Sequence, residues 1–542
     1  MNNAIYNFPL PQNEEIKNYF SGSPERILLD NEITRQLSEI VDIPLIIGGK
    51  EIRTGVTGEI KPPHNHQHTV AIYHKAGAKE VEMAIKAAME AHRIWSNLPW
   101  TIRASIMLKA AELISTKYRH IISASTMIGQ SKNIYQSEID AVCETIDFLK
   151  YNVSFAGRIY ESQPRSAFNQ LNRMEYRALE GFILAISPFN FTAIASNLNM
   201  APVMMGNTTL WKPATTAILS NYYLMQIFKE AGLPDGVINF IPSEGSVIGG
   251  VSLSSKHLAG IHFTGSNATF NHLWSQVCSN LNTYKSYPRL VGETGGKDFI
   301  FVHQSADITN TSINTIRGAF EYQGQKCSAA SRMYVPRSLW PKIKESICNM
   351  AEEIKMGDVT DENNFMNAVI DDKSFNNIKS YIDFARNSPD AKIIAGGQCD
   401  KSAGYFIRPT IIETTNPHFK LMEEEIFGPV LCVYVYEDSK LEEALDLCDN
   451  TSPFGLTGSV FAQDRIEAAK ICDKLRYAAG NFYINDKPTG AIVGMQPFGG
   501  SRASGTNDKA GGEFNLIRWV NPRTIKEAFL TPTDYRYPYM SD

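Results

Sequence analysis

Residues 181–191 read Gly181-Phe182-Ile183-Leu184-Ala185-Ile186-Ser187-Pro188-Phe189-Asn190-Phe191. An unbroken apolar run closed by Ser-Pro has the length and composition of a strand buried on both faces. From Thr192 to Gly206 the sequence fits a helix, and from Thr208 to Lys212 a second strand. Another helix starts at Thr216 and stops at Gly232, with Pro234 beyond, an expected end signal. Val237 to Ile241 and Gly260 to Thr264 supply two more strands. This alternation predicts a parallel sheet covered on both faces, with ligands bound beyond the carboxyl ends of its strands. Asn190, Lys212 and Ser266 fall at such ends.

A second alternation runs from Lys297 to about Asn485, with strands near 298–302, 332–335 and 430–435, and predicts a second α/β domain. Upstream, residues 1–75 mix short strands with turns. From Ala78 to about Tyr151 the pattern is helical, with Val81, Ala84, Ile85, Ala88 and Ala91 at steps of one helix face. Met174 to Leu179 follows a polar stretch and reads as an exposed or bridging strand. The tail from Phe514 to Phe529 reads as strand again and is a candidate to pair with it.

The chain has 542 residues, 43% hydrophobic and 20% charged, an ordinary soluble globular composition. A net charge of −5 provides no positive field for a polyanion, so nucleic acid is not an expected partner. Eight cysteines without a CxxC pair make neither a disulfide framework nor a metal site, and a reducing cytoplasm is expected. The first residues lack a charged start before an apolar core, and Glu14 and Glu15 do not suit a transit peptide. No apolar run reaches the roughly 20 residues needed to span a bilayer.

Three side chains carry candidate chemistry. Cys327 lies in Gly324-Gln325-Lys326-Cys327-Ser328-Ala329. The small residues after it are able to start or border a helix, whose N-terminus would lower the thiol pKa. Glu293, 34 residues earlier (327 − 293), stands in Glu293-Thr294-Gly295-Gly296-Lys297, where glycines allow close approach of a general base. Asn190 offers an amide N–H to an oxyanion. Nucleophile, base and amide together point to thiol attack on a carbonyl. Phe263-Thr264-Gly265-Ser266 leads a strand into a helix whose free N–H groups suit a phosphate. The GxGxxG fingerprint is absent, and Phe270 stands where a third glycine is sought.

Taken in order, Pro188-Phe189-Asn190, Trp211-Lys212-Pro213, Phe263 to Ser266, Glu293 to Lys297, Gly324 to Cys327, Glu425-Ile426-Phe427-Gly428-Pro429 and Pro497-Phe498-Gly499-Gly500 resemble the aldehyde dehydrogenase superfamily over nearly the whole chain. Within it, Asn190 to Ile194, Gln325 to Ala329, and the run from Asn485-Asp486-Lys487-Pro488-Thr489-Gly490-Ala491 to Asp508 are most similar to the branch that oxidises L-glutamate γ-semialdehyde.

The resemblance implies a Rossmann-type cofactor domain (1–155 and 180–293), a second α/β catalytic domain (294–506), and a small β bridging flap for oligomerisation (156–179 and 507–542). It implies that Cys327 attacks the aldehyde, and that Asn190 and the Cys327 backbone N–H hold the oxyanion. Hydride then passes to NAD, and Glu293 activates the water that releases glutamate, in the second step of proline catabolism. It places Ser187, Pro188, Phe189, Lys212, Gly265, Ser266, Glu425 and Phe427 at the cofactor. Phe191, Ser328, Gly490, Ala491 and Phe498 fall at the substrate. The Gly490 loop has the backbone freedom to turn consecutive N–H groups on a carboxylate, and Phe191 and Phe498 are suited to sandwich aliphatic carbons. One departure is Thr215, where many NAD-preferring relatives carry Glu. The length leaves no room for a fused proline dehydrogenase, so a separate enzyme is expected to make the substrate. A homodimer or higher homo-oligomer is expected from the two candidate bridging strands. Other readings are a dehydrogenase of another carboxylated semialdehyde such as succinic semialdehyde, a CoA-acylating enzyme, or a retired scaffold. Retention of thiol, base and amide argues against the last.

Overall fold

The computed structural model describes residues 8–540. Its frame is two seven-stranded sheets. In the first, the order is Arg289–Glu293, Leu258–Thr264, Phe182–Ile186, Thr208–Lys212, Ile238–Phe240, Leu45–Ile47 and Lys50–Ile52. The first five are parallel, and the last two add an antiparallel edge. Apolar runs form these strands because both faces are covered. Phe182 and Leu184 pack into one core, while Ile183 between them packs into another on the opposite face.

Register decides where the strands stop. Ile186 pairs with Lys212 and with Phe263, and Thr264 pairs with Glu293. Ser187, Lys212, Gly265 and Glu293 therefore leave the sheet along one carboxyl edge, the location expected for ligands.

The second sheet is ordered Ala391–Ala395, Thr410–Thr414, Val430–Tyr436, Ala330–Pro336, Asp298–Val302, Thr457–Phe461 and Asn481–Ile484. All neighbours are parallel except the first pair. Here too Phe299 and Phe301 enter one core and Ile300 and Val302 the other. The short link Thr294 to Lys297 joins the carboxyl edge of the first sheet to the amino edge of the second. Any site between them is walled by strand ends from both.

Gln170–Ala178 and Val520–Ala528 form the expected pair, an antiparallel two-stranded ribbon with Val520 opposite Ala178 and Ala528 opposite Gln170. Along Gln170–Ala178 half-buried and exposed residues alternate, so the ribbon stands clear of the cores on one face. Two local expectations differ. Pro24–Ser38 is a helix, capped by Ser23, within a stretch read only as strands and turns. Leu29, Ile33 and Leu37 recur at four-residue steps and form its packed face, a short helical period that the reading of this stretch passed over. The tail opens with the helix Glu513–Ile517 before its strand, because Leu516 and Trp519 turn into the first core. Among the described residues no helix is long and apolar enough to cross a membrane.

Candidate active site

The nucleophile loop begins where the helix Ile308–Phe320 ends. Tyr322, Gln323 and Gly324 then take positive φ values of 51°, 56° and 65°. A Cβ on Gly324 would sit 2.3 Å from the Gly428 carbonyl oxygen, so glycine is required there. Left-handed tyrosine and glutamine cost free energy and persist only where surroundings hold them. Tyr322 Oη donates to Gln130 O at 2.9 Å, and Gln323 Nε2 donates to Ser131 O and Ala368 O. The Gln323 and Gln325 amide oxygens accept from the backbone of Asn367 and Ile370. The loop is thus fastened on several sides before it reaches the thiol.

Cys327 Sγ donates to Glu293 Oε1 at 3.4 Å. Asn190 Nδ2 donates to Gln325 O at 3.0 Å, which fixes the amide beside the nucleophile loop and leaves its second N–H to point elsewhere. Glu293 is held by a strap: Thr294 N donates to Ser504 O at 2.9 Å, and Gly292 N to Thr506 Oγ1 at 2.9 Å. Thiol, carboxyl and amide, distant in sequence, converge.

The helix expected at Cys327 is not there. The loop passes directly into the strand Ala330–Pro336, because Ala330 is needed opposite Asp298 in the second sheet. Without a helix N-terminus nothing lowers the thiol. Burial pushes it well up, and the neighbouring carboxyls of Glu293 and Asp298 push it further. Burial also raises Glu293 to about 7, against the lowering pull of Cys327 and Lys509. Activation therefore requires that the thiol proton be taken away, and Glu293 is the base in reach.

Cys327 and Glu293 line the same cavity. Phe191, Ser328, Gly490, Ala491 and Phe498 are all in its wall. Ser328 Oγ and Thr489 Oγ1 are 2.8 Å apart, tying the nucleophile loop to the Gly490 loop. Gly490 has φ 90°, a conformation open to glycine. Lys509 and Ala510 from the tail also reach the wall, so the chain beyond residue 506 contributes here as well as to the ribbon.

Sequence reading missed the acidic side of this cavity. Asp140 and Glu144 line it, delivered by the π-helix Glu138–Cys143 and the first turn of Glu144–Glu161. A π-turn inside a longer helix re-aims side chains and often marks a functional position. Burial holds the Glu144 carboxyl well above its usual range, with Asp140 adding to it. Asp140 Oδ2 accepts from Lys132 Nζ at 2.7 Å. That ammonium lies 4.2 Å from the Phe191 ring centre and 4.4 Å from that of Tyr322. The available signal was acidic residues on an otherwise apolar helix.

The cofactor candidates lie outside the cavity wall: Ser187 to Phe189, Lys212, Gly265 and Ser266 follow the carboxyl edge of the first sheet, and Glu425 and Phe427 precede Val430–Tyr436 of the second. Trp211 Nε1 donates to Ser187 Oγ at 3.0 Å. Lys212 ends its strand, and burial lowers its pKa. Gly265 and Ser266 follow the strand Leu258–Thr264, and Ser266 caps the helix Asn267–Ser279 by accepting from Thr269 N. Phe270, where a glycine was sought, fills the space above Gly292: a Cβ there would meet its ring at 2.2 Å. Glu425 Oε1 accepts from Gly296 N at 3.0 Å, and burial raises that carboxyl to about 7. Pro188 lies between Ser187 and Phe189, and the Phe189 and Phe427 rings meet edge to face at 5.8 Å.

The sequence pattern of the aldehyde dehydrogenase family matches residues 54–525, most of the chain. The chain belongs to the aldehyde dehydrogenase family. This aldehyde dehydrogenase is 52% identical over 542 residues to a protein of Dictyostelium discoideum named delta-1-pyrroline-5-carboxylate dehydrogenase, mitochondrial, covering 99% of this chain and 97% of that one. The Homo sapiens protein of the same name is 49% identical, covering 97% of this chain and 94% of its own. Among solved structures, delta-pyrroline-5-carboxylate dehydrogenase from Mycobacterium tuberculosis bound with NAD superposes with a TM-score of 0.96 at 46% identity, covering all of both chains.

Proposed function

We propose that this aldehyde dehydrogenase oxidises L-glutamate γ-semialdehyde, the open form of 1-pyrroline-5-carboxylate, to L-glutamate with NAD, the second step of proline breakdown. The observation that carries the reading is the Cys327–Glu293 contact of 3.4 Å in a cavity that also holds the Gly490 loop. A thiol and a base perform the chemistry, and a loop of backbone donors selects an aldehyde that ends in a carboxylate. Similarity to proteins named for pyrroline-5-carboxylate supports the same substrate.

The chain's own groups divide the work as follows. Glu293 removes the Cys327 proton, and the sulfur adds to the aldehyde carbon. The free N–H of Asn190 and the Cys327 backbone N–H receive the oxyanion, where charge develops. NAD, when bound, supplies the hydride acceptor. Glu293 releases the thiol proton to solvent, and the acyl thioester on Cys327 is then hydrolysed by water whose proton goes to the regenerated carboxylate as the Cys327 thiolate leaves. Phe191 and Phe498 hold the aliphatic chain and exclude water from it, while Gly490, Ala491 and Ser328 hold the far carboxylate. Glu144 is suited to the substrate ammonium, because an incoming cation lets its buried carboxyl ionise.

The donor set on the carboxyl edge fits a dinucleotide. The free N–H groups at the start of Asn267–Ser279 suit its pyrophosphate, as Ser266 and Gly265 open that helix. Lys212 and Glu425 are assigned to the two riboses, and Ser187, Pro188, Phe189 and Phe427 to the same cofactor. In this reading residues 1–155 and 180–293 carry the cofactor and 294–506 the nucleophile. Segments 156–179 and 507–542 join subunits into a homodimer or higher homo-oligomer through the ribbon. Relatives named mitochondrial widen the cytoplasmic expectation to include the mitochondrion.

A panel of pyrroline-5-carboxylate, succinic semialdehyde and propanal, each with NAD and NADP, tests the assignment. The first with NAD is expected to give the highest kcat/KM; a higher value for succinic semialdehyde would reassign the substrate. The pH dependence follows from Glu293. Its carboxylate is the working form, so thioester hydrolysis is expected to rise with pH and level off above about 7. Below that it should fall about tenfold per pH unit, as a single required base demands. A flat single-turnover hydrolysis rate between pH 5.5 and 8 would remove Glu293 from this step.

A further inference from the structure

Beside the cavity lies an ion cluster around a buried carboxylate, which the proposed mechanism does not use. Glu321, the residue after the helix Ile308–Phe320, is 4% exposed at its side chain and faces three cations. Arg317 Nε donates to Oε1 at 2.9 Å, Lys326 Nζ to Oε2 at 3.3 Å, and Lys487 Nζ to Oε2 at 3.1 Å. These partners come from three places. Arg317 belongs to the same helix, Lys326 precedes the nucleophile, and Lys487 opens the segment leading to Gly490.

The Lys487 ammonium reaches the back of that loop. A Cβ built on Gly490 would lie 3.6 Å from Lys487 Nζ, and Lys487 Cβ packs against Gly318 of the helix. One carboxylate therefore fastens the nucleophile loop and the Gly490 loop to a common helix end. Burial alone would raise the Glu321 pKa, but Lys326 and Lys487 more than reverse it and hold the group near about 2. The carboxylate is ionised throughout the working pH range. Neither Glu321 nor Lys487 lines the cavity, so neither touches the substrate.

We propose that Glu321 is a positioning residue for substrate selection: through Lys487 it holds the Gly490 loop at the distance from Cys327 that a carboxylated semialdehyde requires. This rests on the proposed function, since it assumes that the loop receives the substrate carboxylate. A neutral residue at 321 leaves Lys487, 15% exposed at its side chain, free to swing towards water. Lys326, 3% exposed, has no such exit and stays beside the nucleophile. The loop that reads the carboxylate then loses its backing, while the thiol, base and amide keep theirs.

The test is steady-state kinetics of full-length Glu321→Gln with pyrroline-5-carboxylate and with propanal, each with NAD. The expected result is a KM for pyrroline-5-carboxylate raised about tenfold with kcat within about threefold, the pattern of lost uniform binding. For propanal, which has no carboxylate, kcat/KM is expected to stay within about threefold of wild type. Lys487→Met, which leaves Arg317 and Lys326 paired with Glu321, is expected to show the same split and serves if the first variant does not fold. Equal losses on both aldehydes in the folded variants, or no change on either, would overturn the proposal. Wild-type enzyme that does not favour pyrroline-5-carboxylate over propanal would instead overturn the proposed substrate and this inference with it.

Discussion

Cys327→Ala is expected to abolish aldehyde oxidation, with kcat/KM lower by about 10⁵-fold, the scale seen when a covalent nucleophile is removed. The sulfur is in hydrogen-bond contact with Glu293 and is able to form a bond to the carbonyl carbon. None of the groups proposed to hold the cofactor depends on it. NAD affinity, read by quenching of intrinsic fluorescence, should therefore remain within about twofold. The substitution removes one buried sulfur from a loop that Gln323 and Gln325 hold by their own hydrogen bonds, so the fold should survive. Oxidation retained within tenfold of wild type would place the nucleophile on another residue.

Glu293→Gln has the second largest expected effect, and it should split the reaction. Glutamine keeps the shape and the contact with Cys327 but accepts no proton. Loss of a general base costs about 10² to 10⁴-fold in the step it serves. Hydrolysis should suffer this loss. Acylation should suffer less, because water in the cavity is able to carry the Cys327 proton away when the base is missing and the bound aldehyde captures the thiolate as it forms. Rapid mixing with pyrroline-5-carboxylate and NAD is then expected to give a burst of NADH near one per site, followed by slow turnover. Disappearance of the burst together with turnover would mean that Glu293 is needed chiefly to ionise the thiol.

Much of this was legible in the sequence for reasons that can be named. Strands such as Phe182–Ile186 and Asp298–Val302 are buried on both faces, so they appear as short apolar runs. Asn190 and Glu293 stand at or just beyond carboxyl ends of first-sheet strands, the edge that a parallel sheet leaves to ligands. Cys327 instead precedes Ala330–Pro336 and was singled out by the residues around it. The ribbon was visible because Gln170–Ala178 lacks a buried face.

What was not legible depends on contacts across the chain. The conformation at Cys327 is set by partners at Gln130, Ser131, Ala368 and Ile370 and by the demand for a strand at Ala330, none of which is local. Small residues after the thiol fit a helix start equally well. Asp140 and Glu144 escaped notice because a π-turn breaks the spacing of the helix that bears them. Glu321 escaped because an acidic residue at a helix end is ordinarily a solvated one, and only the folded chain brings Lys326 and Lys487 to it.

The account requires an acyl group on one particular sulfur. Intact-mass and peptide analysis of Glu293→Gln, quenched in acid after mixing with pyrroline-5-carboxylate and NAD, looks for it directly. The expected result is a glutamyl adduct near one per chain, mapped to the peptide containing Cys327 and absent when NAD is omitted. An enzyme that forms NADH from this substrate yet carries the adduct on another cysteine, or carries none at any quench time, would contradict the mechanism proposed here.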